Sequence, residues 1–315
     1  MQHRELGRSG LRVAPLVLGG NVFGWTADEA TSFRILDAFV AGGGNAIDTA
    51  NVYSAWVPGH QGGESETVIG KWLQQRGRRD DVLLLTKVGM QMGDGSKGLA
   101  KDYIRRSVEA SLRRLQTDYI DLYQSHQDDE TLPVTEPLEA YAELIKEGKV
   151  RAIGASNFSA ERLRQALDAS QQGLPRYESL QPLYNLYDRA DFEQNLQPLV
   201  QEQHVGVIPF YGLAAGFLTG KYRTLDDLKK SARGEGVGKK YLNDKGLKIL
   251  GALDAVAARQ QATPAQVALA WIMAQPGLTA PIASGTSPEQ VQELLKATEL
   301  QLGSEDLREL NQASQ

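Results

Sequence analysis

The sequence predicts an α/β protein that folds as one (β/α)8 barrel of the TIM type over residues 1–315. Short apolar runs alternate with longer amphipathic stretches almost to the end of the chain, which is the pattern of a parallel sheet with helical crossovers. Eight such runs occur, and eight strand–helix units favour a closed barrel over an open sheet. Chains of this length routinely form a single domain in that fold, so we expect no domain boundary.

The elements follow in order along the chain. Glu5–Val13 contains the turn Gly7-Arg-Ser-Gly10 and predicts an N-terminal β-hairpin that closes the bottom of the barrel. Eight strands are then expected. The strand candidates are Pro15–Gly19, Asn45–Asp48, Asp81–Lys87, Tyr119–His126, Val150–Ser156, Glu178–Pro182, Val205–Phe210 and Ala280–Ser284.

The helices between these strands are predicted from apolar residues at a spacing of three to four. Examples are Phe33, Leu36 and Phe39; Val68, Ile69 and Trp72; Ile104, Val108, Ser111 and Leu115; and Leu138, Tyr141 and Leu144. A long segment from Lys221 to about Gly246, rich in Lys, Gly, Arg and Asp, follows the seventh strand. We expect it to be a loop that covers an anionic ligand.

Composition excludes several classes of function. The 34 Lys and Arg residues against 39 Asp and Glu residues leave a net charge of −5, with no basic run of the kind that binds nucleic acid. The N-terminus has no apolar core of a signal peptide, and no long apolar span occurs, so we expect a cytoplasmic protein with no membrane contact. The chain has no cysteine, and its four histidines lack the spacing of metal ligands, so no metal site is expected.

Four polar residues lie where apolar runs stop, or just after. Asp48, Lys87 and His126 each end such a run, and Tyr53 follows Asp48 by five residues. The carboxyl ends of parallel strands converge on one face of a barrel, so we expect these four side chains to meet in one pocket. A phenol can protonate a carbonyl oxygen if a cation stabilises its phenolate. We expect Lys87 to be that cation, Asp48 its counter-ion and His126 a donor that orients the carbonyl.

A hydride for such a reduction must come from a cofactor, because no residue here is a redox centre. Gly19-Gly-Asn-Val-Phe-Gly24 lacks the spacing of a Rossmann fingerprint. The segment from Ser284, with Ser287 as a helix cap and Pro288 at the first helical position, could instead hold phosphates at a helix N-terminus.

Six segments, in order and along nearly the whole chain, resemble the aldo-keto reductase superfamily. They are Asp48-Thr-Ala-Asn-Val-Tyr53, Thr86-Lys87, Asp121-Leu-Tyr-Gln-Ser-His126, Gly148-Lys-Val-Arg-Ala-Ile-Gly-Ala-Ser-Asn157, Gln181 through Asn185, and Gly216-Phe-Leu-Thr-Gly-Lys-Tyr222. The resemblance implies a (β/α)8 fold and NAD(P)H as cofactor. It implies Tyr53 as general acid, tuned by Lys87 and Asp48, with His126 orienting the carbonyl.

The same resemblance implies the contacts of the dinucleotide. Ser156, Asn157 and Gln181 would bind the nicotinamide carboxamide, Phe210 would stack on its ring, and Lys221 and Arg223 would contact the pyrophosphate or cover it. The other residues assigned to the cofactor are Gly20, Asn21, Tyr211, Gly212, Leu213, Gly216, Ser284, Gly285, Thr286, Gln290 and Glu293.

The substrate is expected to be a small aldehyde or ketone. Phe23, Trp25 and Trp56 follow the first two strands and could form an apolar pocket for it, although ordinary packing explains them equally well. Relatives that prefer the phosphorylated cofactor carry Lys or Arg where this chain has Ser284, Thr286 and Gln290. These neutral residues leave the choice of dinucleotide open, and we expect NADPH with NADH as a plausible alternative.

Two other functions remain open from the sequence. A lyase could use Lys87 as a Schiff-base amine. A barrel could also bind the dinucleotide as a sensor and dock on a partner, as the potassium-channel β-subunits do that this family resembles. The sequence leaves the oligomeric state undetermined.

Overall fold

The computed structural model describes residues 1–231 and 234–315, and within them eight parallel strands form one curved sheet. A separate two-stranded hairpin, β1 (Arg4–Glu5) and β2 (Arg12–Val13), precedes it. The barrel strands are β3 Val17–Gly19, β4 Ala46–Asp48, β5 Leu83–Val88, β6 Ile120–Ser125, β7 Val150–Ser156, β8 Tyr177–Gln181, β9 Gly206–Val207 and β10 Ile282–Ala283.

The sheet closes into a barrel. The strands from β3 to β9 are neighbours in chain order, and β10 pairs with β3. On its other side, β10 meets β9 through backbone hydrogen bonds from Thr279 N to Val207 O (2.8 Å) and from Ile282 N to Pro209 O (2.9 Å). The predicted (β/α)8 fold is therefore confirmed.

Helices surround the barrel and connect its strands. They are α1 Glu29–Ala41, α2 Glu64–Arg76, α3 Lys101–Leu115, α4 Thr135–Lys146, α5 Ala160–Ser170, α6 Gln197–Gln203, α7 Gly234–Tyr241, α8 Asp244–Gln260, α9 Pro264–Met273, α10 Pro288–Leu295 and α11 Ser304–Ser314. The residues predicted to form apolar helix faces, such as Leu36, Ile69 and Leu144, are buried in the core between the helices and the barrel.

The hairpin closes the bottom of the barrel, as the sequence predicts. Leu6, Leu11 and Val13 are fully or almost fully buried against the apolar residues that point into the barrel. Those residues are Val17, Ala46, Leu85, Leu122, Ala152, Ile208, Ala280 and Ile282. This apolar floor leaves the opposite end, where the strands finish, for polar side chains.

Three predicted elements differ clearly from the observed ones. The seventh and eighth strands are shorter than Val205–Phe210 and Ala280–Ser284, because Pro209 and Pro281 have no N–H to donate to a ladder. The segment from Lys221 to Gly246, of which residues 232 and 233 lie outside the described residues, is not simply a loop. It contains a 3-10 helix, Asp226–Lys230, and α7, in which Val237 and Tyr241 are buried one turn apart.

Candidate active site

A buried ion pair lies at the centre of the barrel mouth. Lys87 on β5 donates from Nζ to Asp48 Oδ2 on β4 at 2.6 Å, and the two side chains are 0% and 2% exposed. The same Nζ contacts the Thr49 carbonyl at 2.8 Å and the Tyr53 hydroxyl at 3.1 Å, so its three donors have three partners. Burial acts to lower the pKa of Lys87, but the Asp48 carboxylate and the Tyr53 oxygen outweigh it and raise that pKa above its usual value. Lys87 is therefore protonated at neutral pH.

Tyr53 reaches this pair from the loop that follows β4. The Tyr53 carbonyl accepts hydrogen bonds from the amides of Gly63 (3.0 Å) and Ser65 (3.4 Å), which fix the loop against the start of α2. Burial raises the pKa of Tyr53, and the opposing charge of Lys87 does not cancel that effect. The sequence suggested that Lys87 would make the phenol a stronger acid. Burial dominates, and the phenol keeps its proton at neutral pH.

His126, the first residue after β6, faces the same phenol. Its ring centroid lies 5.8 Å from that of Tyr53, and its backbone is held between Val88 O, which accepts from His126 N, and Asn157 Nδ2, which donates to His126 O. Burial, aided by the charge of Lys87, holds the pKa of His126 well below its usual value, so the imidazole is neutral. Its Nδ1 is buried and has no hydrogen-bond partner among the described residues.

Two glutamine amides contact the other oxygen of Asp48. Gln181 Nε2 donates to Asp48 Oδ1 at 2.9 Å, and Gln124 Nε2 donates to the same atom at 3.2 Å. Gln124 was not identified as a site residue from the sequence. It lies two residues before His126 on a strand, so the alternation of side chains along a strand puts both residues on the interior face.

The residues assigned to the nicotinamide lie together at the ends of β7, β8 and β9. Ser156 Oγ donates to the Gln181 carbonyl at 2.8 Å, and Asn157 Nδ2 contacts Ser156 Oγ at 3.2 Å. Phe210 follows β9, its backbone N–H donates to Pro182 O, and its ring is half-buried. These groups can offer hydrogen bonds to a carboxamide and an aromatic face to a planar ring.

A second group of predicted cofactor residues surrounds the start of α10. Ser284 Oγ donates to Asn21 Oδ1 at 2.7 Å across the β10–β3 junction, beside Gly20 and Gly285. Gln290 Oε1 accepts from Thr286 N at 2.9 Å, and Ser287 caps α10 as the sequence predicts. Hydroxyls, an amide and a helix N-terminus are suitable donors for phosphate oxygens.

Glu293 lies on α10 and is held by its neighbours. It accepts hydrogen bonds from Gln266 Nε2 and from Lys296 Nζ. Lys296, in the 3-10 turn that follows α10, pairs with this carboxylate. The hydrogen-bonding side chains of Ser284, Thr286 and Gln290 are neutral.

The remaining cofactor candidates follow β9. Tyr211, Gly212, Leu213 and Gly216 form the turn that leads through the 3-10 segment Ala214–Thr219. A Cβ atom added at Gly216 would lie 3.2 Å from Lys221 Nζ, so the missing side chain lets that ammonium group cross the turn. The guanidinium of Arg223 makes a two-pronged pair with Asp254, both contacts at 2.7 Å.

Two of the three predicted substrate-pocket residues form an aromatic wall. The Trp25 and Trp56 rings meet edge to face at 5.5 Å, and Trp56 lies 5.7 Å from the Tyr53 ring with half of its surface exposed. The structure does not bring Phe23 to this wall. Phe23 is fully buried in the core between barrel and helices.

A family model described as the aldo/keto reductase family matches residues 15–315. The chain belongs to this family. It is 38% identical to an uncharacterised oxidoreductase, YrpG, of Bacillus subtilis (strain 168), over 99% of this chain and 95% of that protein. It is 33% identical to a norsolorinic acid reductase of Aspergillus flavus, over 99% of this chain and 80% of that protein. It is also 32% identical to a probable voltage-gated potassium channel subunit beta of Oryza sativa subsp. japonica, over 95% of this chain and 92% of that protein.

Family membership and the names of the first two of these relatives support an oxidoreductase. Within residues 1–231 and 234–315, no helix is long and apolar enough to cross a membrane. In the same residues, no group of three or more His, Asp and Glu side chains is arranged to hold a metal ion.

Proposed function

We propose that this protein reduces aldehydes or ketones to alcohols with NAD(P)H, and that Tyr53 supplies the proton. The observation that carries the proposal is the contact of the Tyr53 hydroxyl with Lys87 Nζ at 3.1 Å, beside the neutral imidazole of His126. A protonated phenol next to a fixed cation is an acid whose conjugate base is stabilised as it forms.

Each residue has a separate part in this proposal. A nicotinamide held by Ser156, Asn157 and Gln181 would supply the hydride that the carbonyl carbon needs. Tyr53 gives its hydroxyl proton to the carbonyl oxygen, and Lys87 stabilises the phenolate that is left. Asp48 keeps Lys87 charged and in place inside the barrel, at 2.6 Å. His126, as a neutral imidazole, can donate one N–H to the carbonyl oxygen and orient it toward Tyr53.

The dinucleotide is the cofactor that best fits the donors of the barrel mouth. Ser156, Asn157 and Gln181 would bind the carboxamide, and Ser284, Thr286 and Gln290 at α10 would bind the adenosine phosphate. Their hydroxyl and amide donors contain no cation, so we expect NADPH to be preferred only modestly over NADH. Arg223 could reach the pyrophosphate only by exchanging its pair with Asp254 for phosphate oxygens.

Two observations make a Schiff-base lyase the weaker proposal. A Schiff base requires a neutral amine. The raised pKa of Lys87 opposes loss of its proton, and its three donors are all engaged.

A second candidate function comes from the rice relative and from a probable voltage-gated potassium channel subunit beta of Arabidopsis thaliana, 31% identical over 95% of this chain. The chain could bind the dinucleotide and act on a partner rather than turn over substrate. The ionised Lys87–Asp48 pair at Tyr53 favours turnover.

The test is a turnover assay of the purified chain. Oxidation of NADPH, and separately of NADH, is followed at 340 nm with a panel of aliphatic and aromatic aldehydes and ketones. We expect saturable oxidation with at least one carbonyl, and an alcohol product identified by mass spectrometry. Tight dinucleotide binding without turnover on any carbonyl would overturn the proposal and favour the second candidate.

A further inference from the structure

A polar layer spans the barrel interior directly above the apolar floor. Asp48, Gln124 and Gln181 come from β4, β6 and β8, which are alternate strands, and each is at most 2% exposed. Alternate strands of such barrels contribute side chains to one layer, and those layers are usually filled by branched apolar residues. Burying two amides and a carboxylate is costly unless all are hydrogen-bonded, so this layer calls for a functional explanation.

The three side chains form a closed ring of hydrogen bonds. Gln181 Nε2 donates to Asp48 Oδ1 at 2.9 Å and to Gln124 Oε1 at 3.2 Å. Gln124 Nε2 donates to Asp48 Oδ1 at 3.2 Å. The two amides therefore engage one carboxylate oxygen, which leaves Oδ2 to face Lys87 Nζ at 2.6 Å.

The barrel leaves space for Gln124 to make these contacts. A Cβ atom added at Gly154, on the neighbouring strand β7, would lie 3.1 Å from Gln124 Cγ and 2.3 Å from Ser179 Oγ. Glycine at this position lets the Gln124 side chain pass across the interior toward Asp48. Ser179 lies in the same interior region, but its hydroxyl has no hydrogen-bond partner among the described residues.

We propose that Gln124 is a positioning residue for the proton donor: its amide fixes Asp48 so that Oδ2 stays on Lys87, and it links that carboxylate to Gln181. The inference rests on the proposed function, in which Lys87 supports Tyr53 and Gln181 contacts the nicotinamide. Gln124 itself touches neither Tyr53 nor a predicted cofactor atom; it acts through Asp48.

Electrostatics gives the direction of the effect. The titratable groups around Tyr53 are Lys87, which favours the phenolate, and Asp48 and Tyr211, which oppose it; His126 is neutral. Hydrogen bonds from the amides spread the charge of Asp48 away from the phenol. Without Gln124, the carboxylate would oppose phenolate formation more strongly and would be less firmly aligned with Lys87.

The decisive variant is Gln124→Met, which keeps the length of the side chain and removes both hydrogen bonds. Loss of a hydrogen bond to a charged group changes an equilibrium constant by roughly ten-fold or more, so we expect kcat to fall by about the same factor. The midpoint of the Tyr53 titration should rise by about one pH unit. Dinucleotide affinity should change less than about three-fold, because Gln181 keeps its bond to Asp48. Ser179→Ala is the matched control, since it alters the same interior without touching Asp48, and it should behave as wild type.

The ionisation midpoint of the Tyr53 hydroxyl is measured directly by NMR of 13C-labelled tyrosine. The Tyr53 resonance is assigned from its loss in Tyr53→Phe. This titration needs no turnover, so it tests Gln124 even if the chain reduces no carbonyl, which would be a failure of the proposed function alone. A Tyr53 midpoint in Gln124→Met equal to that of wild type would overturn the inference, as would equal effects of Gln124→Met and Ser179→Ala on kcat.

A second variant, Gln124→Glu, covers the case in which the Met variant fails to fold. A protonated Glu can still donate to Asp48 and accept from Gln181, whereas an ionised Glu places two carboxylates together. We expect near wild-type kcat at low pH and a new loss of kcat as pH rises, absent from wild type. A pH profile identical to that of wild type would contradict the role of Gln124.

Discussion

The Lys87–Asp48 pair should be costly to break, and a second pair in the same chain provides a matched comparison. Lys71 and Glu29 also make a Lys–carboxylate contact of 2.6 Å, but their side chains are 48% and 50% exposed. Lys87 and Asp48 are 0% and 2% exposed. The two pairs therefore share the charged groups and the distance, and they differ in burial.

The expected magnitudes follow from that difference. Lys87→Met leaves Asp48 charged inside the barrel, and breaking a buried pair from one side costs about 3–5 kcal/mol of unfolding free energy. We expect the lower part of that range, because Gln124 and Gln181 still donate to Asp48 Oδ1. Lys71→Met should cost less than about 1 kcal/mol, as exposed pairs do. Adding Asp48→Asn to Lys87→Met removes the unpaired charge and should recover part of the loss, at least about 1 kcal/mol.

The assay is urea unfolding followed by tryptophan fluorescence, with linear extrapolation to water. Carbonyl reduction is measured on the same samples. The double variant should be more stable than Lys87→Met yet equally inactive, because both lack the cation beside Tyr53. If Lys87→Met destabilises the chain no more than Lys71→Met does, the burial argument for this ion pair is wrong.

Three further predictions address the amine, the cofactor and the imidazole. Borohydride added with a carbonyl substrate should leave no mass adduct on Lys87, because the amine is protonated; a reduced adduct there would favour the lyase. The dissociation constants of NADH and NADPH should differ by no more than about two orders of magnitude, a gap of at most roughly 2.7 kcal/mol in binding free energy, and higher salt should reduce that gap. Gln290→Arg should increase the affinity for NADPH selectively. A thousand-fold preference for NADPH in wild type would contradict this and require a cation from elsewhere in the chain. The lowered pKa of His126 means that the unfolded chain takes up a proton below about pH 6.5 that the folded chain does not. As pH is lowered below that value, the unfolding free energy should therefore decrease by up to about 1.4 kcal/mol per pH unit. His126→Asn should reduce this pH dependence. An equal pH dependence in both proteins would contradict a neutral buried imidazole.

The fold was predictable because each strand is marked by a local signal. Asp48, Lys87 and His126 each end an apolar run, and in a barrel the ends of neighbouring strands lie side by side. Their proximity follows from the topology alone. The structure accordingly places Lys87 in contact with both Asp48 and Tyr53, with His126 beside Tyr53. Their catalytic roles stay predictions.

Contacts that depend on barrel closure or on packing could not be predicted. The sequence shows a glutamine at position 124, but its hydrogen bond to Asp48 crosses the barrel interior between strands that are not neighbours. The pair of Arg223 with Asp254 likewise joins segments 31 residues apart, through the docking of α8. Phe23 looked like a pocket residue because it follows a strand, and only packing decides that its ring points into the core.

The most direct test of the proton-donor assignment is single-turnover reduction by Tyr53→Phe. The change removes one hydroxyl and keeps the aromatic ring, so dinucleotide affinity, measured by fluorescence quenching, should barely change. Enzyme preloaded with reduced dinucleotide is mixed with the best carbonyl substrate, and cofactor oxidation is followed in wild type and variant. We predict that the rate falls by roughly 10²–10⁴-fold, as expected for loss of a general acid. A variant that reduces the substrate within a few-fold of the wild-type rate would contradict the assignment of Tyr53.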